Sequence, residues 1–231
     1  FTNVFAHIED LNELINNLKI IVSTNTILVV ENHYLGSILK YGQFDTFYHE
    51  HPRTYSFKSF QYIAKISNMK LFAVQFVSMY GGNIRAYFGN NISKKNIIKK
   101  EKNFEGSFKK MKKDMILWKK KTKKFIVNHV KKNGKFIAKA FPGRAAILIK
   151  LLGLNEKHIA SVYEIKGSIK VNHYVPGTKI PILPEALLYK KTNLSHPILN
   201  LAWHLPAEVR KNLLKNGYKG KIIDIKKFKK I

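Results

Sequence analysis

Thr26-Ile27-Leu28-Val29-Val30-Glu31 is a continuous run, rich in β-branched residues, that ends on a carboxylate. Apolar residues at successive rather than alternate positions are what a strand buried on both faces requires. Before it, Leu11, Leu14, Ile15 and Leu18 recur at helical spacing behind Glu9-Asp10, and acids in a first turn suit the helix dipole. Residues 1–8 read as the end of an earlier strand, with His7 at its exit. After it come a polar loop, a helix over 57–67, and strands over 71–77 and 84–88 joined through Gly81-Gly82-Asn83. Helix, strand, helix, strand, strand is the order of the second half of an α/β sheet.

Residues 93–133 are almost entirely Lys and apolar residues. Phe104, Phe108, Met111, Met115, Trp118, Thr122 and Phe125 alternate steps of four and three, a narrow stripe on one long helix with a break expected at Gly106. A second α/β unit follows. Residues 136–141 read as a strand, Pro142-Gly143-Arg144 as a tight turn, and 145–154 as a helix ended at Gly153. A strand is expected over 159–165, then a stiff loop over 175–182 feeding a short helix over 184–189. A strand over 197–203, a helix over 207–216 and a last strand over 221–225 complete a small parallel sheet with helices on both faces. The expected organisation is therefore 1–92, a basic linker helix over 93–133, and 134–231.

The chain of 231 residues has no Cys, which excludes disulfides, thiolate nucleophiles and zinc–cysteine clusters. No apolar run approaches the roughly 20 residues needed to span a bilayer, and no secretory signal opens the chain, so a cytoplasmic protein is expected. A start at Phe1, within what reads as a strand end, suggests a segment of a longer protein. The net charge of +28 invites a nucleic-acid reading. Against it, Arg occurs only at 53, 85, 144 and 210, and Arg is the usual residue for bidentate phosphate and base recognition. Abundant Lys, Ile, Asn, Phe and Tyr share A/T-rich codons. The Lys field still favours anionic ligands such as nucleotide diphosphates.

The chemistry concentrates in Phe44-Asp45-Thr46-Phe47-Tyr48-His49-Glu50-His51-Pro52-Arg53-Thr54-Tyr55-Ser56. These thirteen residues carry two imidazoles, two carboxylates, two phenols and a guanidinium. Polar reactive residues on a loop between regular elements are where catalysis usually sits. Three readings remain open from the residues alone: proton transfer through Tyr48, Glu50 and His51; a loop capped by His49 and His51; and a metal-dependent hydrolase at the His-Glu-His run. The third is disfavoured because histidines at spacing two do not share a helix face. The basic 94–132 helix adds a fourth, nucleic-acid-binding reading. Lone histidines at 33, 129, 158, 173 and 196 read as surface or capping residues.

Asn3-Val4-Phe5-Ala6-His7-Ile8 followed by Phe44-Asp45-Thr46-Phe47-Tyr48-His49-Glu50-His51 resembles the S-adenosylmethionine-dependent sugar C-methyltransferases. So do Gly81-Gly82-Asn83-Ile84-Arg85, Pro176-Gly177-Thr178-Lys179-Ile180-Pro181-Ile182, and Leu201-Ala202-Trp203 ahead of the helix that contains Glu208. The resemblance covers nearly the whole chain. It implies the C-terminal half of a Rossmann-like methyltransferase domain over 1–92 and a C-terminal sugar-nucleotide-binding α/β domain over 134–231. It implies methyl transfer from S-adenosylmethionine to a carbon of a nucleotide-linked keto-deoxysugar, with the donor site largely outside this segment. The family's cysteine module is missing, no Gly-x-Gly-x-Gly precedes His7, and Phe141-Pro142 departs from the family's small-residue turn.

Carbon methylation beside a ketone needs a base to form an enolate. By resemblance His51 is that base, Glu50 and Tyr48 position the sugar or the base, and His7 stabilises the enolate oxygen. Asn83, Arg85, Arg144 and Trp203 are the expected substrate contacts, Arg144 at a helix N-terminus where a diphosphate would bind. The expected partner is the nucleotide sugar, with no nucleic acid, membrane or metal.

Overall fold

The computed structural model describes residues 1–91, 101, 103–190 and 194–227. The chain divides into two compact units, Phe1–Lys112 and Lys113–Ile231. Both are α/β, with a parallel sheet in the second and one long helix, as the sequence pattern leads one to expect.

In the first unit, α1 (Leu11–Ile21) starts where expected because the Asp10 carboxylate accepts from the Glu13 amide at 2.9 Å. Strand β1 (Leu28–His33) is buried on both faces at Val30, Glu31 and Asn32. Strands β2 (Lys70–Val77) and β3 (Asn83–Gly89) form a tight hairpin, so β3 runs antiparallel between β1 and β2. The strand expected over 1–8 reduces to a parallel bridge between Thr2 and Glu31, after which Phe5–His7 winds into a 3-10 turn. The reactive loop does not follow β1 directly. A short helix, α2 (Leu35–Lys40), intervenes, and Phe44–Thr46 is a further 3-10 turn. Helix α3 (Phe57–Ile66) opens on a reciprocal Ser56/Ser59 capping box, and the Glu101 carboxylate accepts from the Phe57 and Lys58 amides at 2.9 and 3.2 Å.

The core of this unit joins Phe5, Val30, Tyr55, Phe60, Ile84 and Phe88. Each such side chain contributes about 1.5–3 kcal/mol by leaving water. Tyr55 is its polar member: the ring stacks on Phe60 at 5.2 Å and the phenol donates to the Phe5 carbonyl at 3.0 Å.

The long helix α4 (Glu105–Asn133) carries Gly106 inside its first turn rather than as a break. Of the helix expected over 93–133, residues 93–100 and 102 lie outside the described residues. No helix among the described residues is long and apolar enough to cross a membrane.

The second unit is a five-stranded parallel sheet of order β6-β5-β4-β7-β8. Its strands are β4 (Phe136–Lys139), β5 (Ile159–Glu164), β6 (Ile182–Pro184), β7 (Ile198–Asn200) and β8 (Ile222–Asp224). Helix α5 (Ala145–Leu152) ends on left-handed Gly153, and α6 (Pro206–Lys215) begins with proline at its first position. The short helix expected over 184–189 is instead the end of β6 followed by a 3-10 turn, Glu185–Leu187. Pro184 has extended backbone (φ −63°, ψ 138°), and Ile182 and Leu183 are paired with β5.

Burial pushes the Tyr55 phenol up to about 12, with Arg53 opposing. Between an unfolded value near 10 and about 12, the folded chain keeps this proton and the unfolded chain does not. The contribution is therefore complete below pH 10 and is lost as pH rises through about 12. Tyr55→Phe is expected to lose about 1 kcal/mol at neutral pH and to show a shallower fall in urea midpoint above pH 10 than wild type.

Candidate active site

Two segments far apart in sequence are sewn together by loop side chains. The Arg53 guanidinium donates to the Ile8 carbonyl and, at 2.8 Å, to the Glu9 carbonyl. The Tyr55 phenol holds Phe5 on the other side of His7. Neither residue was expected from the sequence to act in the site, because their partners are backbone atoms more than forty residues away.

The result brings His7 and His51 face to edge, ring centroids 4.7 Å apart at 70°. Tyr48 lies 4.6 Å from His51, and its phenol donates to Glu50 Oε2 at 3.0 Å. Thus His7, Tyr48, Glu50 and His51 converge in one place. His49 does not join them; it is exposed and lies 4.0 Å from Glu50. His51 Nδ1 sits 3.1 Å from the Thr46 carbonyl. A carbonyl only accepts, so this contact places the proton on Nδ1 and leaves Nε2 of the neutral ring as the basic nitrogen.

The sequence also missed His33 and Tyr80. His33 is the last residue of β1, its ring 5.7 Å from His51 and 6.4 Å from Tyr80. Tyr80 is in the β2–β3 turn with left-handed backbone (φ 52°), a conformation that tyrosine adopts only when its surroundings impose it. Those surroundings are visible. Gln43 donates to the Gly81 carbonyl at 2.7 Å, and a Cβ on Gly82 would stand 2.5 Å from Ser37 Oγ. The glycine pair is there for close packing.

Asn83 and Arg85 turn toward Glu31. Asn83 Nδ2 donates to Glu31 Oε1 at 2.9 Å and to Asn3 Oδ1 at 3.0 Å, and Arg85 Nε donates to Glu31 Oε2 at 2.7 Å. Glu31 and Asn83 are buried, so the network joins β1, β3 and the segment leading to His7. Among the described residues, no group of three His, Cys, Asp or Glu side chains is arranged to hold a metal ion.

Arg144 and Trp203 belong to the second unit. They follow the carboxyl ends of β4 and β7, where the strand order reverses, which is where open α/β sheets bind ligands. The Arg144 guanidinium carbon is 5.2 Å from the centroid of the buried Trp203 ring, and Lys226 Nζ is 3.7 Å from it.

The family described as C-methyltransferase C-terminal domain matches residues 78–223. The chain belongs to that family. The match contains Tyr80, Asn83, Arg85, Arg144 and Trp203 and begins after the histidine cluster. The chain is also similar to C-methyltransferase NovU of Streptomyces niveus, at 32% identity over 80 residues. That alignment takes in 35% of this C-methyltransferase-family chain and 19% of NovU.

Arg53→Ala is expected to cost about 1–3 kcal/mol and to loosen the segment around His7, seen as weakened NOEs between the His7 and His51 rings. Arg53→Lys should restore only part of them, since an ammonium lacks the fork that spans two carbonyls.

Proposed function

We propose that this chain supplies the proton-abstracting part of a C-methyltransferase that acts on a nucleotide-linked keto-deoxysugar. The observation that carries the reading is the meeting of His7, Tyr48 and His51, with His51 Nδ1 held 3.1 Å from the Thr46 carbonyl. Family membership supports the reaction class, and the name of NovU supports it independently.

His51 Nε2 removes the hydrogen from the carbon beside the ketone, a task suited to a group that titrates near neutrality. The carbonyl oxygen becomes an enolate oxygen, and His7, on the 3-10 turn facing His51, donates a hydrogen bond to it. Tyr48, oriented by Glu50, holds the sugar against His51. In the second unit, Trp203 is fully buried rather than a substrate contact; it backs Arg144, which is assigned to the nucleotide diphosphate. Asn83 and Arg85 act on the substrate side by fixing Glu31 and the entry to His7.

S-adenosylmethionine is the proposed methyl donor, and it supplies an electrophilic methyl group. The residues described in the first unit do not make a site for it. Both oxygens of the buried Glu31 carboxylate are engaged by Asn83 and Arg85, which leaves it unsuited to a ribose. The Gly81-Gly82 turn is pressed against Gln43 and Ser37 rather than open to a ligand. The donor is therefore assigned to another part of the whole protein, which we place in the cytoplasm.

In the intact protein, His51→Ala should lower methyl transfer by about 10²–10⁴-fold while donor affinity, read by calorimetry, stays near wild type. Unchanged turnover in that variant would refute the assignment.

A further inference from the structure

Three imidazoles meet in the first unit, and the third stands on a strand. His33 closes β1 in register with Asn83 of β3, and the next amide, Tyr34, donates to the Gly82 carbonyl at 3.2 Å. Its place is therefore set by the sheet. The His33 and His51 rings are both half-buried, 5.7 Å apart and inclined at 59°. Two imidazolium charges that close in a partly desolvated site oppose one another, so one proton on the pair makes the second harder to add.

Other groups among the described residues face them. His7 faces His51 from the 3-10 turn at 4.7 Å, and Tyr48 faces it at 4.6 Å. Glu50 reaches the group through the Tyr48 phenol, and exposed His49 lies beside Glu50. Arg53 is a fixed cation bound to the backbone next to His7, and Tyr80 faces His33 from the β2–β3 turn.

We propose that His33 is a positioning residue for His51, keeping its Nε2 available as a base by placing a second proton-binding ring beside it. The proposal rests on the reading of His51 as the base. The pair binds one proton between them and takes up the second only at lower pH. A share of the molecules then keeps His51 neutral in mild acid, where a solitary histidine would already be charged.

The test is the pH titration of the His51 ring by NMR in the intact protein, as wild type, His33→Gln and His33→Lys. Wild type should titrate in more than one step, since both His33 and His7 stand beside His51. His33→Gln, which leaves His7 in place, should titrate at higher pH with a shortened acid tail. His33→Lys, with a permanent charge in the same place, should move the titration to lower pH by about one unit. Methyl transfer by His33→Gln should match wild type near pH 8 and fall about two-fold below it near pH 6. Identical titrations in all three proteins would overturn the coupling, and either variant compared with wild type decides this should the other fail to fold. Full turnover in His51→Ala is a separate result: it removes the base assignment, whatever the titrations show.

Discussion

A buried hydrogen bond from the Tyr55 phenol to the Phe5 carbonyl fixes the geometry on which the site depends. It closes a loop of 50 residues and does so inside the core, where an unmet carbonyl would be costly. The two ends that it joins each lead within a few residues to an imidazole, His7 from Phe5 and His51 from Tyr55. Arg53 adds a second tie on the far side of His7. The imidazoles themselves need no bond to one another. Their distance follows from two anchors in the backbone beneath them.

Rigid elements supply the rest. Glu31 gathers Asn83, Arg85 and, through Asn83, Asn3, so that a buried carboxylate is compensated while β1, β3 and the N-terminal segment are drawn together. The β2–β3 turn is pressed on Gln43 and Ser37, which requires glycine at 81 and 82 and pushes Tyr80 into left-handed backbone. Strain of this kind persists where packing over-determines the chain. Here it presents a phenol next to His33.

Much of this was legible in the sequence, for reasons that particular residues show. Asp10, Ser56, Gly153 and Pro206 mark helix ends by local hydrogen bonding or backbone preference, so α1, α3, α5 and α6 could be placed. Helix α2 could not. It has six residues, includes Gly36, and has no side-chain cap at Tyr34. The strand β6 was hidden because its three residues gain their order from pairing with β5, a contact remote in sequence. Among site residues, the Tyr-His-Glu-His run stands out by density alone. His33 carries no such signal, since its meaning lies in a ring that β1 brings beside it. Asn83 and Arg85 were legible as polar residues near a turn, but their partner Glu31 appears only once β1 and β3 are paired in register.

The central claim is that His51 strips hydrogen from carbon beside a ketone. The most direct measurement is deuterium wash-in at that carbon of a nucleotide-linked keto-deoxysugar in D₂O, with the intact protein and S-adenosylhomocysteine in place of the methyl donor. Wash-in by wild type that falls to the uncatalysed rate in His51→Ala is the predicted result. Wash-in at the same rate in both proteins would contradict it.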